Sequence, residues 1–202
     1  MRSSSWLEGW RLFGLVALAV ASLLALILAL VGTDERGLRI LVRASARTSA
    51  TLFLLAFVAS SLRRFFRSPF TAWLLRNRRY VGVSFAFSHL LHLMIVASLA
   101  ISFPHPFYEQ SVNLVVVGGG GVVSLFVAAM AATSFDRAAA WLGPRRWKIL
   151  HTVGGYAIWS VFAFDYVQLA FHSVLYVPMA LTVLGTLGLR MAARVRGPAP
   201  AI

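Results

Sequence analysis

The chain has 202 residues, 59% of them hydrophobic, and nineteen basic residues against six acidic ones give it a net charge of +13. Globular domains stop near half apolar composition, so a water-soluble core does not absorb this much apolar surface. The basic residues form short clusters between long uncharged runs rather than one face beside a groove motif, which argues against nucleic acid as the partner. No cysteine is present, which removes disulfides, iron-sulfur clusters and cysteine-ligated zinc.

A hydrocarbon layer of ~30 Å needs about 20 residues at ~1.5 Å each. Six uncharged runs near that length predict an all-α membrane protein, a bundle of about six transmembrane helices forming one polytopic domain over residues 1–202. The first, 12–32, is longer than the apolar region of a signal peptide and has no small-x-small cleavage site after it, so it is expected to stay as a helix. The second, 46–62, is short: its 15 uncharged residues, 48–62, rise only ~22 Å, and Arg47 is expected to snorkel or to face a polar interior. The third, 80–103, ends at Pro104 and Pro106. The fourth, 113–135, holds four consecutive glycines, Gly118 to Gly121, which permit close approach of a helix or a flat ligand. The fifth, 147–171, follows Pro144, a favourable first-turn residue, and the sixth, 174–189, has Pro178 near its start.

An even number of spans puts both termini on one side. Arg63, Arg64, Arg67, Arg76, Arg78 and Arg79 follow the second run, Arg137, Arg145, Arg146 and Lys148 follow the fourth, and Arg190, Arg194 and Arg196 follow the sixth, with Asp136 the one acid among them. The positive-inside bias assigns these segments to the cytoplasm of a bacterial cell, in its cytoplasmic membrane. The first opposite loop is less tidy, with Arg36, Arg39, Arg43 and Arg47 beside Asp34 and Glu35. No G-x-G-x-x-G follows a strand and no stretch is large enough for a nucleotide-binding domain, so the chain by itself is not a complete NAD(P)H-dependent enzyme.

Ionisable groups at bilayer depth are costly and mark function by default. His89 and His92 lie mid-run in Ser88-His89-Leu90-Leu91-His92, on one helix face. His151 lies in the fifth run, and His105 and His172 lie near the far interface. Imidazoles from facing helices at matching depth make an electron-transferring haem centre; without a bound group they bridge helices. Counted from Arg79, His89 is ~15 Å inward and His92 ~20 Å, while His151 is ~10 Å inward from Pro144. Depth therefore pairs His151 more easily with His89.

The Arg78-Arg79 entrance, Gly82, the aromatics and His of the third run, Arg63-Arg64 closing the second, and Arg146-Trp147-Lys148-Ile149-Leu150-His151 opening the fifth resemble the ferric reductase-like transmembrane domain family. The resemblance covers roughly residues 40–190, and its specific part is two short stretches. The family includes the membrane cores of NADPH oxidases, metalloreductases and the haem-bearing subunit of the bacterial methionine sulfoxide reductase system; stand-alone bacterial members without flavin or nucleotide domains are similar in size. The resemblance implies b-type haem on histidines of the third and fifth spans, often two haems stacked across the membrane. Matching Arg79-x12-His92 makes His92 the outer ligand of the third span, with an arginine at the inner position, and His151 matches the inner ligand of the fifth. The outer ligand expected thirteen or fourteen residues later is replaced by Phe164 and Asp165. One haem b is therefore expected, with His151 on one side and His89 or His92 on the other. Arg78, Arg79, Arg145 and Arg146 are expected to pair with its propionates or to act only as topology anchors.

These readings describe a cytochrome in the lipid bilayer that passes electrons from a soluble flavin reductase or a quinol to a separate acceptor, which is a periplasmic partner, a quinone or a metal ion. The alternative is a non-redox polytopic protein, a small permease or structural subunit, whose histidines only bridge helices. Sparse intramembrane acids and the lack of an internal repeat count against a transporter.

Overall fold

The computed structural model describes residues 7–105, 107 and 114–196; Pro106 and the start of the fourth run at residue 113 lie outside the described residues. Every element described is helical: α1 (Gly9–Val31), α2 (Glu35–Phe65), the short α3 (Pro69–Arg76), α4 (Arg78–Ser102), α5 (Leu114–Ala132), α6 (Asp136–Leu142), α7 (Pro144–His172), a single 3-10 turn (Val174–Tyr176) and α8 (Val177–Val195).

Local chemistry sets the ends. Asp34 caps α2 by accepting from the Gly37 amide at 2.8 Å, and Glu35 adds negative charge to the first turn while Arg63 and Arg64 sit in the last. Ser68 and Thr71 close a reciprocal capping box at α3, with Pro69 in its first turn. Gly143, at φ +79°, turns the chain between α6 and α7, and Pro144 opens α7. The second apolar run thus belongs to a 31-residue helix that begins at Glu35 rather than residue 46. Its polar first three turns stay helical because Arg, Leu and Ala are good helix formers. Arg47 lies over the Tyr176 ring, 5.1 Å from its centroid, which is how the short apolar run tolerates that charge.

Four stretches, α1, α2, α4 and Val174–Val195, are long and apolar enough to cross a membrane. Gly118–Ala132 and Asp136–Leu142 qualify only together, as a pair bent by 106°. α7 has the length, 29 residues, but its His151, Asp165 and interspersed Gly, Ser, Tyr and Trp leave it less apolar than the other four. Exposed residues such as Leu18, Leu30, Leu125 and Leu181 give the bundle an apolar exterior.

α2 is the central strut. Its Ser45 and Ser49 and the Ser84 and Ser88 of α4 are all buried, and the small side chains let the two helices close together. Ser49 and Ser88 share a hydrogen bond of 2.9 Å. Towards α7, α2 presents aromatics: the Phe53 ring lies 5.3 Å from Phe57, 5.3 Å from Phe85 and 5.5 Å from Phe162. α8 is tied to α7 by the Trp159 indole, which donates to the Val183 carbonyl at 3.0 Å. Asn77 accepts from the Gly9 amide at 2.9 Å, fixing the start of α1 beside the start of α4.

The four-glycine run is not the site of closest approach. A Cβ on Gly119 would rest 3.6 Å from Val161, and on Gly121 would meet nothing within 4 Å. On Gly154 of α7 it would meet Met130 Sδ at 2.6 Å and Phe126 Cδ1 at 2.9 Å. Gly154→Leu should therefore force α5 and α7 apart and cost about 1–3 kcal/mol as an overpacked contact, whereas Gly121→Ala should be neutral or stabilising. Unfolding in detergent checks both; a Gly154→Leu protein as stable as wild type would refute the close α5–α7 contact.

Candidate functional site: the histidines of the bundle

His89 is buried and His92 is half-buried on α4, with ring centroids 5.9 Å apart. They look in different directions. His89 Nε2 lies 3.3 Å from Ser124 Oγ of α5, and that hydroxyl already donates to the Gly120 carbonyl at 2.7 Å. A serine has one hydroxyl proton, so Nε2–H is the donor to Ser124 and Nδ1 carries the bare lone pair. That Nδ1 is buried and has no hydrogen-bond partner. His92 Nδ1 lies 2.9 Å from Ser45 Oγ of α2, whose hydroxyl donates to the Val42 carbonyl at 3.0 Å; by the same reasoning Nδ1–H donates and Nε2 is left bare.

His151 repeats the pattern at the basic end. Its Nε2 is 3.2 Å from Thr133 Oγ1, which donates to the Ala129 carbonyl at 2.7 Å. Trp147 stacks on its ring at 4.1 Å, with the planes 23° apart, and the indole donates to the Thr133 carbonyl at 3.0 Å. All three imidazoles are thus oriented by a hydroxyl, on a neighbouring helix for His89 and His92 and in the turn after α5 for His151, and keep one unprotonated nitrogen. A metal needs that nitrogen, and the hydrogen bond on the other one fixes which it is. Each α4 histidine therefore fits the role of a single axial ligand.

The structure does not bring His151 together with His89. His89 rests on Ser124 and His151 on Thr133, nine positions further along the α5 region and so ~13.5 Å away along its axis. Two imidazoles sharing a metal at about 2 Å each hold their nitrogens only ~4 Å apart. His92 is turned towards α2. Depth counted from the helix starts misleads because it takes no account of how far α7 and α4 are shifted relative to each other along the bundle. Among the described residues no group of three or more His, Asp or Glu side chains is placed to hold a metal ion.

The arginines expected near propionates are placed variously. Arg79 pairs with Asp136 at 2.6 Å and lies near the Trp10 and Tyr80 rings. Arg78 Nε donates to the Ala56 carbonyl at 2.9 Å. Arg146 is exposed on the first turn of α7. Sequence reasoning missed the hydroxyl partners Ser45, Ser124 and Thr133; the only signal was Ser45-x3-Ser49 set against Ser84-x3-Ser88. No protein-family model matches the chain, and neither the curated proteins nor the solved structures include one similar to it.

Proposed function

We propose that the protein is a b-type cytochrome of the cytoplasmic membrane, with six spans and both termini in the cytoplasm, related to the ferric reductase-like membrane domains that its third and fifth apolar runs resemble. The observation that carries this reading is the bare, hydroxyl-oriented imidazole nitrogen on His89 and His92, with His89 beside Phe85. Haem, when bound, supplies a one-electron couple; the chain orients the imidazole, excludes water and sets the distance to a separate donor and acceptor. A soluble flavin reductase or a quinol fits the donor's role, because nothing in the sequence resembles a nucleotide-binding fold.

A second reading is favoured by one observation: all three histidines already have hydroxyl partners on neighbouring elements. In that case they only bridge helices, and the chain is a non-redox permease or structural subunit.

Two experiments follow. Reporter fusions after residue 70, after residue 140 and at the C-terminus should all report cytoplasm, and a periplasmic signal at two of them overturns the orientation. The detergent-purified protein should show the visible spectrum of b-type haem. Replacing whichever α4 histidine binds, His89→Ala or His92→Ala, should lower haem content at least tenfold, roughly the effect of losing a ligand or its orienting group, while His151→Ala retains haem. Wild-type protein without haem, even after haem is supplied during expression, rules out the cytochrome and leaves the helix-bridging reading.

A further inference from the structure

We propose that the cleft between the last turns of α2 and α8 binds the phosphate of an anionic phospholipid headgroup. The cleft has a volume of about 230 Å³ and is lined by Ser60, Ser61, Arg64, Arg190, Ala193 and Arg194. Three guanidiniums and two hydroxyls meet there with no carboxylate among the described residues, which is the donor set that recognises a phosphate.

The remaining arginines of this end show why that matters. Arg76 is paired with Glu8 at 3.2 Å and Arg79 with Asp136 at 2.6 Å, but the arginines of the cleft are held by neutral groups. Arg190 Nε donates to the Tyr156 hydroxyl at 3.3 Å and Nη1 to the Phe57 carbonyl, and its guanidinium lies 4.1 Å over the Phe57 ring. Arg194 lies over Tyr156 at 5.2 Å. These contacts fix the positions of the two charges without neutralising them. Arg64 makes no hydrogen bond, ion pair or ring contact with another described residue. The C-terminal ends of α2 and α8 each bring about half a negative charge, which offsets only part of three full positive ones.

The surroundings identify the source of the phosphate. α2 and α8 are both long and apolar enough to cross a membrane, so a cleft between their ends lies at headgroup level. On another face α8 exposes Leu181, Leu184 and Met191, so the helix that carries the cleft is itself bathed by acyl chains. Basic sites between spanning helices on the cytoplasmic side attract anionic lipid for these reasons. The proposal rests on the membrane orientation given above and is independent of haem.

The test uses the full chain, purified in detergent and delipidated, and native mass spectrometry with phosphatidylglycerol, phosphatidylcholine of the same chains, or inorganic phosphate. Phosphatidylglycerol should bind at concentrations where phosphatidylcholine does not, and millimolar phosphate should fail to displace it. Arg64→Gln with Arg194→Gln should weaken binding by roughly thirtyfold, about fivefold for each arginine. Arg64→Lys with Arg194→Lys should retain most of it, showing that the bundle is intact. Arg67→Gln with Arg137→Gln, which removes two exposed charges from the same end, should leave it unchanged. Unaltered affinity in the Arg64/Arg194 glutamine variant, or an equal loss in the Arg67/Arg137 variant, overturns the site. Saturation by phosphate alone assigns it to a free anion and overturns the lipid. The haem spectrum of each sample, read separately, keeps failure of the cytochrome reading distinct.

Discussion

Hydrocarbon offers no water to a buried hydroxyl or imidazole, and the contact between α2 and α4 is where this chain meets that constraint most directly. Polar groups at bilayer depth must find partners inside the protein. Ser49 meets Ser88 and Ser45 meets His92, each on the facing helix. Such bonds are worth about 0.6 kcal/mol each, rarely above 1.7, so the seam contributes more to register than to strength. Bulk stability comes from the aromatic packing that continues the same stripe of α2 towards α7, where Phe53, Phe57, Phe85 and Phe162 interlock. With α2 and α4 fixed in register, the histidines of α4 are aimed: one towards α2, the other towards α5.

The same strut organises the basic end. Two carbonyls in the second half of α2, those of Ala56 and Phe57, accept from Arg78 of α4 and Arg190 of α8. Guanidiniums there work as rigid multi-donor forks as much as charges. The ion pairs of that end, Arg76 with Glu8 and Arg79 with Asp136, are solvent-facing on at least one side, and exposed pairs are worth ~0–1 kcal/mol. They bring the start of α1 and the α5–α6 turn against α3 and α4 without contributing much stability.

Much of this was legible in the amino-acid sequence. The runs 12–32 and 80–103 correspond to α1 and α4 to within a few residues, and Pro144 opens α7 as its chemistry suggests. Hydropathy could not see that α2 continues back to Glu35, because charge ends an apolar run but not a helix. Nor could it see the 106° bend between α5 and α6. The glycine run promised a close approach that Gly154 makes instead, since a run of glycines says nothing about which neighbour is large. Of the candidate site, the residues were legible and their geometry was not. Spacing puts His89 and His92 on one face, but the rotation of α4 about its axis and the packing of its neighbours decide what each ring meets. The arginine cleft joins residues from α2 and α8 that no sequence pattern links.

The register of α2 against α4 underlies both the aiming of the histidines and the position of the aromatic core, and the cysteine-free background allows it to be measured directly. Ser49→Cys and Ser88→Cys are introduced together, with a protease site inserted at Arg67, and intact membranes are oxidised before cleavage. If Ser49 and Ser88 face each other as described, the two fragments stay joined on a non-reducing gel and separate on reduction, while each single variant separates under both conditions. Fragments of the double variant that separate without reduction would contradict the seam, and with it the placement of His89 and His92.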